Sequence, residues 1–466
     1  MNTKAKIFSV FAAAFAVVAT IPAAATPSVG NVAMGWDAAS REATISYTLS
    51  DAPAVVTLDI VDSNGDSVGG RLVGASVEGD VFRKVSSDGA HQIKWHPATG
   101  LEALPAGGVR AVVTAWPLDD TPDYMVVSLA KTTGGDESER IRYYPSEDFL
   151  PGGLHENREY KSVKIVMRKI AAKGVEWQMG TSDAVAIANW TRLASETPHQ
   201  VALTNNYYIA VFETTHAQHV CITGGTKPGG DSNFAVEWGD RPVEQAYYLK
   251  IRGNTQWPTA PAASSVLGKL RDRTGLDFDL PSEAEWEFAA RAGQGDGVWG
   301  DGTPYAFARR YISHLDANGT SNYSGYNWFQ PTMPGRGMDN GGQINLNGGW
   351  SYQEPLRTTA TRDLGTAVVG TTTPNSWGIY EMHGNVSEMT LDWYKEDISA
   401  LGGAVCQDTA SGRRTLKGGT FHSFNGGGDV QCRASARQSV QYNGTDAADQ
   451  YVYENGYRLC CRNGLK

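Results

Sequence analysis

The stretch Pro374–Tyr394 reads PNSWGIYEMHGNVSEMTLDWY and combines glycines, asparagines and large aromatic residues in 21 positions. Its Gly and Asn residues interrupt any helical pattern, and its aromatic content is too high for a linker. The stretch is therefore typical of a compact loop in which glycines allow two backbone segments to approach closely and aromatic rings cover the point where the segments cross. A loop of this kind buries many peptide groups, each of which needs a hydrogen-bond partner.

Oxygen atoms are concentrated in the second half of this loop. Asn385, Val386 and Glu388 offer an amide oxygen, a backbone carbonyl and a carboxylate, which are the ligand types that Ca²⁺ prefers. The alternative is a hydrogen-bonded turn that holds no metal, and the residues alone leave both interpretations open.

The same stretch resembles a signature of the formylglycine-generating enzyme (sulfatase-modifying factor) family, which typically reads P-N-x-W-G-L-Y-D-M-x-G-N-V-W-E-W. Three further blocks of the family follow in the expected order: LPSEAEWEFAARAG at 280–293, LKGGTFHSF at 416–424 and NGYRLC at 455–460. The resemblance implies an α+β, C-type-lectin-like fold with little regular structure over residues 158–463.

The chain begins with the pattern of a secretory signal peptide, predicted over residues 1–25. Lys4 and Lys6 precede an apolar run, which ends at small residues suited to cleavage. No later run approaches the 18 or so apolar residues of a membrane span, so we expect no transmembrane segment after cleavage. An uncleaved anchor is the alternative. The sequence thus predicts a secreted, periplasmic or cell-surface protein.

The formal charge of −10 becomes −12 once the two leader lysines are removed. This acidic balance, without a basic cluster, argues against a nucleic-acid partner.

A first domain is predicted over residues 27–130, followed by a charged linker, rich in Pro and Gly, over 131–157. Strand patterns recur in this domain at EATISYTL (42–49), AVVTLDIV (54–61), HQIKW (91–95) and VRAVVTAW (109–116). Short strands with Gly, Pro and Asp turns favour an all-β sandwich. The arrangement resembles immunoglobulin-like modules of the flagellar-hook-cap type, and we interpret it as a spacer or docking module.

The clearest helix follows Pro281. Ser282 and Glu285 form the S-x-x-E pattern of a capping box. Glu283, Glu285 and Glu287 occupy alternate positions, which do not face one another on a helix. They are therefore not a catalytic acid pair, and capping and solvation are the expected explanation.

Other candidate metal ligands are weaker. His216 and His219 lie one helical turn apart and could share a metal, although packing is the favoured interpretation because only Glu213 stands nearby as a third ligand. The resemblance also implies a first calcium site, onto which we place Asn322 and Asp363.

The family's enzymes oxidise a cysteine with O₂ and copper, held by two thiolates after the Gly-Gly-Ser block. Here the corresponding positions are Ser423 and Gly428, and copper is not expected because Cu(I) requires soft sulfur ligands. The five cysteines cannot all pair within one chain. The resemblance implies that Cys432 pairs with Cys460 or Cys461. The iron enzymes of the superfamily use a helical domain bearing three histidines, which does not precede this domain here.

The sequence therefore favours a calcium-stabilised binding module for a glycan or protein. Its candidate cleft consists of residues suited to such surfaces: His422, Phe424, Asn425, Asp429 and Arg437. A receptor diversified by retroelement mutagenesis is a special case of this interpretation. The alternative is an oxidoreductase of the superfamily with an altered active site, using His422 with Asp429 or Arg437.

Overall fold

The computed structural model describes residues 25–74, 76–97, 108–130, 140–181, 194–225, 238–293, 366, 368–371, 374–420, 434–442 and 455–462. Helices are short and few in these ranges, and most regular structure is antiparallel strand. None of the helices in the described ranges is long and apolar enough to cross a membrane.

The N-terminal part contains two antiparallel sheets. Its elements are β1 (Ser28–Asp37), β2 (Glu42–Ser50), β3 (Ala54–Val61), α1 (Gly70–Gly74), β4 (Val77–Gly79), β5 (Arg83–Val85), β6 (Gly89–Trp95) and β7 (Arg110–Trp116). One sheet has the order β1-β2-β6-β4 and the other the order β5-β3-β7. All four predicted strands are present within one or two residues of their expected bounds. In β2 the alternate residues Ala43, Ile45, Tyr47 and Leu49 are buried, as the alternation predicts.

The second part is built on a six-stranded sheet of order β14-β19-β13-β10-β8-β9. Its strands are β8 (Tyr124–Ser128), β9 (Ile141–Tyr144), β10 (Lys164–Ile170), β13 (Tyr207–Ala210), β14 (Phe278–Asp279) and β19 (Cys460–Cys461). A two-stranded sheet pairs β11 (Glu176–Met179) with β12 (His199–Ala202).

A third sheet, of order β17-β16-β15-β18, carries the C-terminal blocks. Its strands are β15 (Ser387–Trp393), β16 (Arg413–Lys417), β17 (Gln438–Gln441) and β18 (Asn455–Gly456). The helices in the described residues of this part are α2 (His216–Thr223), α3 (Tyr248–Arg252), α4 (Val266–Thr274) and α5 (Glu283–Ala290). The stretch from Pro374 onward is thus a loop only to Val386, after which it becomes a fully buried strand.

Two strands of the six-stranded sheet come from segments predicted to lie outside the second domain. β8 falls in the predicted first domain, yet it pairs with β10. β9 falls in the predicted linker 131–157, yet it pairs with β8. From residue 140 this predicted linker is packed and not extended: Phe149, Leu150 and Leu154 are all buried. Its Pro and Gly residues serve tight turns between buried side chains.

Candidate functional site

Helix α5 begins at the predicted capping box. The hydroxyl of Ser282 accepts a hydrogen bond from the backbone N–H of Glu285 at 3.2 Å, and the Glu285 carboxylate accepts one from the Ser282 N–H at 2.8 Å. This pairing satisfies two of the donors that a helix N-terminus leaves without partners. The sequence prediction for the start of this helix is confirmed.

The three alternate glutamates of α5 are buried, not solvated as expected. Glu283 is 1% exposed, Glu285 8% and Glu287 0%. The ion pairs that hold them are Glu283–Arg437 (2.5 and 2.8 Å), Glu285–Arg462 (2.8 Å), Glu287–Lys417 (3.1 Å) and Glu287–Arg291 (2.9 Å). Buried carboxylates persist only when paired and hydrogen-bonded, so these cations fix the helix in the domain. Capping explains Glu285 in part, and solvation explains none of them.

A further acid, Asp392 on β15, closes the N-terminal end of α5. Its carboxylate accepts hydrogen bonds from the backbone N–H groups of Glu283 and Cys406, both at 2.7 Å. Burial and the neighbouring Glu283 raise the pKa of Asp392 to about 7. Sequence reasoning missed this residue, although its position directly before the aromatic pair Trp393-Tyr394 marks it as an acid inside an apolar segment.

The loop 374–386 is attached to the other end of α5 by Asn375. Its side-chain amide donates to the carbonyl of Ala289 at 2.8 Å. Its oxygen accepts from the backbone N–H groups of Trp377 and Ile379 at 3.0 and 3.1 Å. The Pro-Asn turn of the signature therefore has a structural role: it satisfies the backbone of the loop and joins it to the helix.

The predicted calcium ligands Asn385, Val386 and Glu388 lie in the interior, where each has a protein partner. The Asn385 amide donates to Glu213 at 2.5 Å, and the Val386 N–H donates to the other oxygen of Glu213 at 3.1 Å. Glu388 accepts from the guanidinium of Arg458 at 2.7 and 3.0 Å.

Glu388 has a second donor, the indole N–H of Trp286 on α5, at 2.6 Å. Both carboxylate oxygens of Glu388 are thus engaged by neighbouring side chains. The strand position of this residue explains the arrangement, because β15 is buried on both faces and Glu388 is 0% exposed.

Glu388 lies with two other buried acids, and we call Glu213, Glu381 and Glu388 the carboxylate cluster. Sequence reasoning did not place Glu213 and Glu381 in this site. Glu381 is buried and accepts the backbone N–H of Gly370 at 3.0 Å. The negative charges of all three carboxylates raise the pKa of Arg458. Burial, with Glu388 and Glu381 nearby, raises the pKa of Glu213 well above its usual value.

Carboxylate oxygens are ligands of the type that a hard cation such as Ca²⁺ prefers. As the side chains stand, the described residues contain no group of three or more His, Cys, Asp or Glu that could hold a metal ion. Calcium at Asn385, Val386 and Glu388 therefore stays a prediction.

The predicted cleft falls mainly on residues that the structure does not describe. These are the cleft residues His422, Phe424, Asn425 and Asp429, the degenerate positions Ser423 and Gly428, and the candidate calcium ligands Asn322 and Asp363. Arg437 is described, and it is buried instead of exposed. Beyond its pair with Glu283, it donates to the carbonyls of Lys395 and Glu396 at 2.8 and 2.9 Å. Arg437 therefore has a structural role.

The described residues on either side of 421–433 are firmly placed. Gly418 and Gly419 have φ values of 91° and 70°, which favour glycine. A side chain at Gly418 would come within 3.1 Å of the Trp286 ring, so the Gly-Gly pair lets β16 pass over α5. On the C-terminal side, the Ser435 hydroxyl donates a hydrogen bond to the Glu196 carboxylate at 2.9 Å.

His216 and His219 are both buried on α2. The Nδ1 atom of His219 lies 3.0 Å from the Tyr457 hydroxyl. Burial, with two lysines nearby, lowers the pKa of His219 to about 4. This placement supports the packing interpretation.

Two of the described cysteines are buried in different segments of the chain. Cys406 is a buried free thiol whose backbone N–H donates to Asp392, and Cys460 is a buried free thiol on β19. Cys432, which the resemblance pairs with Cys460 or Cys461, lies outside the described residues.

These elements define an α+β domain organised on one buried helix whose acids are neutralised by cations from distant segments. The Sulfatase-modifying factor enzyme 1-like domain model matches residues 159–460, and the chain belongs to this family. The resemblance inferred from the four sequence blocks is thereby confirmed.

Solved structures similar to this chain include variable protein 1 of Treponema denticola, with 21% identity over 65% of this chain and 96% of that one, at a TM-score of 0.40. PvdO from Pseudomonas aeruginosa has 18% identity over 64% of this chain and 94% of that one, at a TM-score of 0.39. No curated protein matches the chain.

Proposed function

We propose that this protein is an exported member of the family that has lost the copper-binding cysteine pair and binds a glycan or a protein. In this proposal residues 1–25 are a signal peptide, and the family domain has a C-type-lectin-like body stabilised by calcium. The preceding sheets form an immunoglobulin-like sandwich. The mature protein is secreted, periplasmic or attached to the cell surface.

One observation carries the proposal: the connection from Gly418 to Arg437 contains a single cysteine, Cys432. The Gly418-Gly419 pair lies at the end of β16 against Trp286, which supports its use as the origin for counting. From that origin the two thiolate positions fall on Ser423 and Gly428. A serine hydroxyl does not ionise near neutral pH and is a hard ligand, so it does not replace a copper-bound thiolate.

The concentration of oxygen ligands supports the calcium part of the proposal. Glu213, Glu381 and Glu388 are buried close to one another and to Arg458, beside the amide of Asn385. Carboxylate and amide oxygens are ligand types that Ca²⁺ prefers. Calcium that binds only the folded state would also stabilise the domain by mass action.

The buried state of Arg437 weighs against the alternative, an enzyme with altered chemistry that uses His422 with Asp429 or Arg437. The Arg437 guanidinium is fully occupied by Glu283 and by backbone carbonyls. A group held in this way does not bind substrate. The binding interpretation needs only side chains from 421–433, where His422, Phe424 and Asn425 combine aromatic, imidazole and amide surfaces.

The loss of catalysis is tested by an aerobic assay of the full protein with copper and a sulfatase peptide of the C-x-P-x-R type. We expect no aldehyde product by mass spectrometry. Turnover at a rate that depends on copper would refute this part of the proposal.

The binding activity is tested on a glycan array. We expect specific signals that are lost in the double variant His422→Ala with Asn425→Ala. The matched control is Asn205→Ala, an exposed asparagine elsewhere in the family domain, which should leave the signals intact. Equal binding by the double variant and the control would remove these residues from the site.

The calcium requirement is tested by thermal unfolding with and without a chelator. Chelation with EGTA should lower the unfolding temperature, and added calcium should restore it. Elemental analysis of the purified protein should show calcium without stoichiometric copper or iron. An unfolding temperature that EGTA leaves unchanged would refute the calcium part of the proposal.

A further inference from the structure

The N-terminal part contacts the segment that precedes the family domain at two glycines of α1. A side-chain carbon at Gly74 would lie 2.0 Å from the carbonyl oxygen of Phe149, and one at Gly70 would lie 2.7 Å from that of Asp148. Here α1 touches the backbone of the 3₁₀ turn Glu147–Phe149 directly. The close approach requires glycine, because any Cβ would separate the two segments.

Phe82 makes the apolar part of the same contact. Its ring lies 5.0 Å from that of Tyr144 and 6.2 Å from that of Phe149, measured between centroids. Its backbone accepts from the N–H of Tyr143 at 2.8 Å and donates to the carbonyl of Val56 at 2.6 Å. Phe82 has a φ of 54°, a strained value for a bulky residue. The surrounding contacts hold it in this conformation.

The contact continues from this segment to the signature loop. One buried apolar cluster contains residues of both N-terminal sheets together with Phe149, Leu150, Leu154 and Tyr380. The Nε2 atom of His155 lies 2.8 Å from the Tyr380 hydroxyl, and the two rings are in edge contact at 5.2 Å.

Tyr380 joins this apolar cluster to the carboxylate cluster. Its backbone N–H donates to Val211 at 3.0 Å, and the next residue in the chain is Glu381. Two positions earlier, Gly378 has a φ of 75°, and a side chain there would come within 3.1 Å of the Tyr124 hydroxyl. The loop is therefore held against β8 on one side and against His155 on the other.

We infer that the N-terminal sheets are not a spacer but the support that holds the signature loop in place, acting through α1, the turn at 147–149 and the His155–Tyr380 contact. The contacts of α1 and of the turn at 147–149 are backbone or buried contacts with little freedom to adjust, and the third link joins the exposed His155 to the buried Tyr380. The two parts of the chain should therefore open as one unit, and a change at α1 should be felt at the carboxylate cluster. This inference is independent of which ligand the protein binds.

The test is amide hydrogen exchange, followed by mass spectrometry, on the full chain and on the variant Gly74→Ala. The matched control is Gly30→Ala, because a side chain at Gly30 meets no atom within 4 Å. We expect Gly74→Ala to accelerate exchange at least several-fold both in peptides covering 147–155 and in those covering 374–386. Gly30→Ala should change neither.

Faster exchange confined to the N-terminal sheets and the turn at 147–149 would overturn the inference. Should Gly74→Ala fail to fold, His155→Ala provides the second test, because His155 is exposed and its removal spares the core. His155→Ala should accelerate exchange in 374–386. Unchanged exchange there would also overturn the inference.

Discussion

Replacement of Glu287 by glutamine should be among the most damaging single changes in this protein. Glu287 is wholly buried and accepts hydrogen bonds from Lys417 at 3.1 Å, from Arg291 at 3.0 Å and from the backbone N–H of Gly180 at 2.9 Å. The neutral amide would leave two cations without a counter-charge, one of them, Lys417, with a side chain that is 0% exposed. Removal of one partner from a buried ion pair costs about 3–5 kcal/mol, and we expect Glu287→Gln to reach that range.

The opposite deletion, Lys417→Met, should cost less. It leaves Glu287 with Arg291 and the Gly180 N–H, so the buried carboxylate keeps a cation and a backbone donor. It removes the ammonium that lies 5.7 Å from the centre of the Trp286 ring, but a methionine side chain keeps the apolar contact. We expect a loss of about 1–3 kcal/mol. The double variant Glu287→Gln with Lys417→Met should lose less than the sum of the two single losses, because the uncompensated ammonium is gone.

Urea unfolding of each full-length variant, followed by tryptophan fluorescence and circular dichroism, measures these differences. The control is Glu159→Gln, which removes the exposed pair Glu159–Lys164 and should cost under about 1 kcal/mol. If Lys417→Met proves more damaging than Glu287→Gln, or if the two losses add without coupling, then the burial argument for this pair is wrong.

Three further predictions concern other buried positions. Arg458→Met should cost about 3–5 kcal/mol in urea unfolding because it leaves Glu388 buried without its cation, whereas conservative replacement of an exposed arginine should not. His219→Gln should reduce the fall in the free energy of unfolding between pH 6.5 and pH 4. The pKa of folded His219 is about 4 and that of the unfolded state is near 6.5, so the stability that His219 contributes is present above pH 6.5 and is lost as the pH falls towards 4. Gly268→Ala should destabilise α4 in thermal unfolding, although alanine normally favours a helix, because its Cβ would lie 2.0 Å from the Ala262 carbonyl oxygen.

Local patterns in the sequence were sufficient for the features that local chemistry determines. The alternation in EATISYTL predicts the buried face of β2, and the S-x-x-E pattern predicts the start of α5. Both depend on residues within a few positions of one another, so no knowledge of the remote chain is needed. The four ordered blocks predict the family for a related reason, since each block is a short segment with a fixed pattern.

Long-range partners could not be predicted in this way. The ion pairs of α5 with Lys417, Arg437 and Arg462 join residues 130 to 177 positions apart, so no local pattern distinguishes a buried Glu283 from a solvated one. The same limit explains Arg437, which has the composition of a surface site and the contacts of a core residue. Segment 140–157 shows a different limit: Pro and Gly suit both flexible chains and tight turns, and only the burial of Phe149 and Leu150 distinguishes the two.

The three α5 glutamates together explain how a domain with little regular structure can assemble in one way. Lys417 comes from β16, Arg437 from the segment before β17, and Arg462 from the residue after β19. A misplaced segment would leave a buried carboxylate without its cation, so the pairs select one arrangement of the C-terminal strands even where their net stabilisation is small. None of these pairs uses a residue of 421–433. The side chains of 421–433 can therefore vary while these three ion pairs stay the same.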